Sequence, residues 1–256
     1  AIAIEIGDRQ LQETSTGNLG AVFNSLGKYQ KAREYHEKAL AIAIEIGDRE
    51  GEGRRYGNLG AVFHYLGEYQ KAEEYHEKAL TIAIEIGDRH REGTSSGNLG
   101  AVFYSLGKYQ KAIEYHEKAL AIAIEIDDRR GEGNINGNLG AVFDSRGEYQ
   151  KAIEYYEKAL PIATEIGDRR GEGTINRSLG VVFHSLGEHQ KAKEYHEKAL
   201  TIAIETGDKR GEGIINGNLG AVFDSLSEYQ KAKEYLEKAL AIAIEIGDKL
   251  EEGTSS

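Results

Sequence analysis

Histidine is the residue type in this chain with the clearest capacity for chemistry, because its side chain can bind metal or transfer protons. Four of the eight histidines share one column of an internal forty-residue repeat: His36, His76, His116 and His196. Equivalent residues of neighbouring copies lie beyond one helix spacing of ~8–10 Å, whereas zinc ligands must converge to within ~2 Å of the ion. No His-x-x-x-His pair occurs, and Tyr156 and Leu236 stand in the same column. We therefore expect no metal site and predict half-buried rings along a helix flank.

A glycine-rich loop is the second feature that could carry chemistry. Residues 41–53, AIAIEIGDREGEG, read as a strand followed by a dinucleotide-binding loop. The glycine spacing, however, is G-x-G-x-x-x-G rather than G-x-G-x-x-G, and Leu40, Ala43 and Ile46 continue a helical stripe that begins at Ala32. No serine or acidic pair stands apart from the repeat, and the chain has no cysteine. We expect neither an enzyme nor a cofactor.

The charge of the chain restricts its partners. Asp and Glu number 43 against 32 Lys and Arg, giving a net charge of −11. Nucleic acids and anionic membranes require a basic surface, so neither is an expected partner. No apolar run approaches the ~20 residues that cross a bilayer, and no signal-like segment opens the chain. We expect a cytoplasmic location.

The forty-residue repeat determines the predicted fold. Six copies aligned on Asp8 and its counterparts share seventeen identical columns. In the second copy, Leu59, Val62, Phe63 and Leu66 recur at helical spacing, as do Ala72, Tyr75, Ala79, Ala83 and Ile86. Gly67 and Gly87 are expected to end these two helices, and Asp88 to cap the next. The predicted organisation is one solenoid over 1–256, with partial helices at 1–7 and 248–256 and full repeats at 8–47, 48–87, 88–127, 128–167, 168–207 and 208–247.

The motif NLGAVF…LGxYQKAxEYxEKAL resembles the tetratricopeptide repeat over the whole chain. The matching positions in the second copy are Leu59, Gly60, Phe63, Gly67, Tyr69, Ala72, Ala79 and Leu80. Each copy is longer than the usual repeat and is similar to the forty-residue form in Pins-type scaffolds and in bacterial signalling arrays. The resemblance implies an all-α protein, a right-handed α-solenoid of helix-turn-helix hairpins. It also implies a protein-interaction scaffold that binds an extended or helical peptide in a concave groove lined by first helices.

A column of asparagines lies on the stripe of the first helices opposite the predicted core. It contains Asn18, Asn58, Asn98, Asn138 and Asn218, with Ser178 as the exception. Glycine and alanine in adjacent columns would keep this wall smooth. An asparagine amide can pair with both the donor and the acceptor of a peptide backbone. These asparagines are candidate peptide contacts, and the alternative is that they tie one hairpin to the next.

Variable residues on the same stripe are candidates for partner specificity, and neutral variation at exposed sites is the alternative explanation. Arg54, Arg55 and Tyr65, with Tyr56 beside them, form a basic and aromatic cluster in which arginine and tyrosine are favoured binding anchors. The column of His64 and Tyr104 differs in almost every copy.

Departures from the repeat concentrate between residues 161 and 189. Pro161 falls inside a second helix and predicts a local kink. Arg177 and Ser178 replace glycine and asparagine in the following first helix, and His189 replaces tyrosine. Elsewhere, Arg146 replaces a predicted core leucine, while Asp127 and Ser227 replace terminating glycines. These residues define either a specialised site or a less constrained part of the array.

An alternative function is structural. Near-identical copies whose ends lack polar capping helices can stack head to tail, and a contact of this kind that does not close forms a filament. The sequence therefore predicts a protein or peptide partner of unknown identity, with head-to-tail self-association as the second possibility.

Overall fold

The structure is a computed structural model that describes the backbone of residues 2–254 and the side chains of residues 8–247. The described backbone is helical throughout, apart from short turns. Its elements are α1 (Ile2–Ser25), α2 (Tyr29–Glu45), α3 (Arg49–Tyr65), α4 (Tyr69–Ile86), α5 (Arg89–Ser105), α6 (Tyr109–Glu125), α7 (Arg129–Ser145), α8 (Tyr149–Glu165), α9 (Arg169–Ser185), α10 (His189–Thr206), α11 (Lys209–Ser225) and α12 (Tyr229–Thr254). The fold class is an α-solenoid of tandem helical hairpins, as the sequence predicts. The chain divides into two compact units, residues 1–131 and 132–256.

Aspartate begins the first helix of most hairpins. The Asp48 carboxylate accepts a hydrogen bond from the Gly51 backbone N–H at 2.8 Å, and the Asp88 carboxylate accepts one from Arg91 N–H at 2.9 Å. Such bonds satisfy backbone donors that have no partner within the helix. The predicted capping role of Asp88 is confirmed.

Left-handed residues end the helices at the predicted positions. Gly67 has φ +75°, and its N–H donates to the His64 carbonyl while Glu68 N–H donates to Phe63. These two bonds form a Schellman motif. Asp127 and Ser227 take the same conformation, with φ 57° and 59°. A side chain in the left-handed conformation carries a steric cost that glycine does not. Asp127 and Ser227 nevertheless keep the left-handed helix end found at the glycines of the other copies.

The first and last helices run through the Gly–Asp pairs that separate hairpins elsewhere in the chain. The helix α1 is continuous through Gly7 and Asp8, and α12 is continuous through Gly247 and Asp248. Residues 1, 255 and 256 lie outside the described backbone.

The core of the first unit follows the predicted stripe with one change. Leu59, Val62 and Phe63 are buried in α3, as predicted, and Leu59 and Phe63 share a cluster with Ala72 of α4 and Val102 of α5. In α4, Ile82 is buried at 3%, whereas the predicted Ile86 is 41% exposed. Ile86 is the last residue of α4, where the chain turns away from the facing helix, so the buried stripe ends one turn earlier.

The second unit is built in the same way. Ala203, Leu219 and Phe223 belong to a buried cluster formed by α10, α11 and α12. Pro161 is exposed and does not interrupt α8, which continues to Glu165. The Arg146 side chain is exposed and lies 2.7 Å from Glu148, whereas its counterparts Leu66 and Leu106 are half-buried against the core of the first unit.

Candidate functional site

The asparagine column lies on a solvent-facing stripe of the first helices, which we call the first-helix face. Asn18 and Asn138 are exposed, and Asn58, Asn98 and Asn218 are half-buried. Among the side chains that the structure describes, none of these five amides has a hydrogen-bond partner. Within the described residues, no hydrogen bond from these amides ties one hairpin to the next.

Two glycine columns in the first helices have different roles. A Cβ on Gly60 would lie 2.7 Å from the His76 ring, so glycine is required there for helix packing. A Cβ on Gly57 would lie 3.9 Å from Ala79, which is an ordinary contact, and at Gly217 nothing lies within 4 Å. Apart from Gly17, where the Arg55 guanidinium fills the space, the Gly57 column leaves open space beside the asparagines.

Aromatic side chains gather at the carboxyl end of α3. Tyr65 is 60% exposed and stacks on Tyr29, with ring centroids 5.2 Å apart. The His64 ring lies 5.4 Å from that of Tyr69. In α5, Tyr104 is 37% exposed and its ring lies 5.9 Å from that of Tyr109. These rings place apolar surface at the edge of the first-helix face.

His64 also joins α3 to α5. The Ser105 hydroxyl donates to the Ala101 carbonyl at 3.1 Å, so its oxygen is left to accept from His64 Nε2–H at 2.9 Å. Burial lowers the pKa of His64, which favours the neutral ring with Nδ1 as an acceptor. The same arrangement recurs in the second unit between His184 and Ser225, at 3.1 Å.

Arg55 does not lie on the first-helix face, contrary to the prediction. Its side chain is 3% exposed, and its Nε donates to Glu13 Oε1 at 2.6 Å. Glu13 is completely buried in α1, and Arg54 lies 3.6 Å from its other oxygen. Gly17 makes room for this pair, because a Cβ there would overlap the Arg55 guanidinium. Arg55 is therefore a structural residue, whereas Arg54 remains partly exposed.

The sequence contains a pattern from which the Glu13–Arg55 pair could have been predicted. Every other copy carries glycine at the position of Glu13, and only this one has an acid there. The following copy is the only one with arginine in the column of Arg55. Two unique, oppositely charged residues in adjacent copies indicate contact between them. Glu13 was not among the predicted site residues.

The histidine column is fully buried rather than half-buried. His36, His76, His116 and His196 are at most 2% exposed. Each ring lies against a glycine of the preceding first helix, as His76 does against Gly60. The missing Cβ gives the ring access to the helix interface, which explains the deeper burial. Burial lowers the pKa of all four to about 4. Within the described residues, no group of three or more histidines and acids is placed to hold a metal ion.

Comparison with known proteins identifies the family. The tetratricopeptide repeat matches at residues 11–85, 91–165 and 171–245. The chain belongs to the tetratricopeptide repeat family, whose hairpins serve as protein-interaction modules. No curated protein sequence matches it.

Solved structures share the fold at low sequence identity. BtubC from P. vanneervenii is 22% identical with a TM-score of 0.73, over 89% of this chain and 92% of that one. A signal transduction ATPase with a tetratricopeptide repeat sensor, from Pyrococcus horikoshii, is 22% identical with a TM-score of 0.80, over 90% of this chain and 35% of that one. A Rap protein complexed with competence and sporulation factor is 15% identical with a TM-score of 0.73, over 93% and 76%. None of the helices in the described part of this chain combines the length and apolar character needed to cross a membrane.

Proposed function

We propose that this protein is a non-enzymatic interaction scaffold that binds an extended or helical peptide along its first-helix face. The observation that carries the proposal is the asparagine column, whose five amides have no partner among the described side chains. Each amide can donate to a peptide carbonyl and accept from a peptide N–H at once. A repeated row of such groups suits a ligand whose backbone also repeats.

Anchors for side chains of the peptide lie next to the asparagines. Tyr65 and Tyr104 offer exposed rings, which contribute large contact area at low entropic cost. His64 offers an acceptor, because its Nε2–H is already bound to Ser105. Arg54 is partly neutralised by Glu13 and contributes less charge than its type suggests. The similar Rap protein is complexed with competence and sporulation factor, which supports a bound factor as the partner of this chain too.

The test is a selection of binders from a random peptide library displayed on phage, followed by fluorescence anisotropy with the selected peptides. Asn58→Ala with Asn98→Ala should weaken binding at least tenfold, since each lost backbone contact is worth about 1 kcal/mol. The matched control is Gln30→Ala with Gln70→Ala, which removes two exposed amides from second helices. Equal affinity of both double variants, with unchanged thermal melting, would contradict the proposal.

A second candidate function is head-to-tail assembly, which one observation favours. The six copies of the repeat share seventeen identical columns of forty, so each copy presents nearly the same packing surfaces to its neighbours. Light scattering over a hundredfold dilution, with electron microscopy of the same samples, distinguishes the two. Concentration-dependent growth into regular fibres supports assembly, and a stable monomer contradicts it.

A further inference from the structure

A cavity of about 500 Å³ lies within the second unit, between α9, α10 and α11. Its volume falls in the range of about 300–1,000 Å³ typical of ligand pockets. Three arginines line it: Arg170 and Arg177 from α9, and Arg210 from α11. We call this cavity the arginine pocket.

The three arginines differ from most others in this acidic chain. Arg49, Arg89 and Arg169 each bind two glutamates, and Arg91 binds Asp88 and Glu50. Among the side chains that the structure describes, no carboxylate lies within ion-pair distance of Arg170, Arg177 or Arg210. Three unpaired guanidinium groups around one cavity attract an anion, and each can hold a carboxylate through two parallel hydrogen bonds.

The other polar groups of the arginine pocket are already engaged. The Thr174 hydroxyl donates to the Arg170 carbonyl at 3.0 Å, and the Thr206 hydroxyl donates to Ile202 at 2.8 Å. Lys209 is paired with Glu212 at 2.8 Å. Asp208, the acidic residue of the lining, accepts the Gly211 N–H at 2.9 Å as a helix cap. Among the side chains of the lining, the guanidinium groups are therefore the donors left for a ligand.

The floor of the pocket is apolar. Ile202 and Ile215 are buried, Ala199 and Ala203 lie beside them, and Ile214 is 42% exposed at the entrance. A hydrated inorganic ion would leave this aliphatic surface uncovered. A ligand with a carboxylate and an adjoining aliphatic group matches both parts of the lining.

The pocket is specific to this part of the array. Arg177 stands in the column where the other five copies have glycine. The corresponding pair of first helices in the first unit is α3 and α5. There, Glu50 and His90 occupy the positions of Arg170 and Arg210. The open space of the glycine column explains how an arginine fits at residue 177 without displacing a neighbouring helix.

We propose that the arginine pocket binds the side-chain carboxylate of a glutamate or aspartate in a bound peptide, with the following aliphatic side chain on the isoleucine floor. The proposal rests on the function proposed above, since the ligand is a segment of the peptide on the first-helix face. It gives that peptide a chemical identity: acidic and aliphatic residues in succession, placed at α9 to α11.

The probe is a blocked peptide with the sequence Gly-Ser-Gly-Glu-Ile-Leu-Gly-Ser-Gly, compared with versions that carry Gln or phosphoserine in place of Glu. NMR titration of the full chain follows the Nε–Hε resonances of the arginines and detects binding into the millimolar range. We expect the Glu peptide to shift Arg170, Arg177 and Arg210 and to bind at least about tenfold more tightly than the Gln peptide.

Arg177→Gly restores the residue found in the other copies, so the variant is expected to fold. It should remove most of the preference for Glu over Gln. The control, Arg33→Ile, changes the net charge equally in the first unit, replaces Arg33 of the second helix α2 with the residue found at Ile113 in the same column, and should keep the preference. Equal binding of the Glu and Gln peptides, no shift of the three arginines, or binding of the phosphoserine peptide alone would overturn the proposal. If the phage-selected peptides still depend on Asn58 and Asn98 in that case, the arginine pocket fails and the proposed function stands.

Discussion

Acidification should destabilise this protein through its buried histidines, and His116→Tyr should remove one part of that effect. His116 is 1% exposed, and burial lowers its pKa from 6.5 to about 4. Its Nδ1 has no hydrogen-bond partner among the described residues, so a second ring proton would occupy an unpaired, buried site. Tyr156 occupies the same column at 4% exposure against Gly140, which makes tyrosine a compatible replacement.

The sign and size of the effect follow from proton linkage. The unfolded chain takes up a proton near pH 6.5, whereas the folded ring stays neutral until about pH 4. The stability from this group is therefore complete above pH 6.5 and is lost as the pH falls through that window. The full loss is about 3 kcal/mol per histidine, of which about 1 kcal/mol is lost between about pH 7.5 and pH 5.5.

The assay is urea denaturation followed by circular dichroism at these two pH values, analysed with a nearest-neighbour description because repeat arrays are not strictly two-state. The carboxylates contribute equally to both proteins, so the difference between them isolates the histidine. We expect His116→Tyr to lose about 1 kcal/mol less than the wild type on acidification. An identical loss in the two proteins would refute the argument.

Three further stability predictions concern packing and backbone geometry. Glu13→Gln should lower the free energy of unfolding by about 3–5 kcal/mol, because Arg55 would remain buried without its charge partner. The double variant Glu13→Gly with Arg55→Ser, which copies other repeats, should recover much of this loss in urea denaturation. Asp127→Gly should raise the free energy of unfolding by about 1 kcal/mol by relieving a left-handed side chain, and an unchanged urea midpoint would contradict this. Gly60→Ala should destabilise the protein by about 1–3 kcal/mol through overpacking, whereas Gly57→Ala should be neutral or stabilising by up to about 1 kcal/mol. Equal melting temperatures for the two variants would refute the distinction between their columns.

The sequence predicts the hairpins well because each signal is local and recurs. Gly67 and Asp88 mark helix ends whatever the neighbouring hairpins do, and Leu59 and Phe63 fall on one face of one helix. The end of a buried stripe depends on the facing helix instead, so the sequence alone misplaced Ile86.

The site is less accessible to sequence reasoning because it depends on contacts between helices. Arg55 follows Arg54 in sequence, but one is buried against Glu13 while the other remains at the surface. The burial of His76 requires the hairpin register that brings its ring to Gly60. Arg177 was recognisable as an exception, but its approach to Arg210 depends on the packing of α9 beside α11.

The position of a bound peptide tests the central claim most directly. NMR of the full chain with a phage-selected peptide would follow the side-chain amides of Asn18, Asn58 and Asn98 on first helices and of Gln30 and Gln70 on second helices. The scaffold account predicts saturable shifts of the asparagine amides with the glutamine amides unchanged. Shifts confined to the glutamines, or to neither set while the peptide binds, would contradict it.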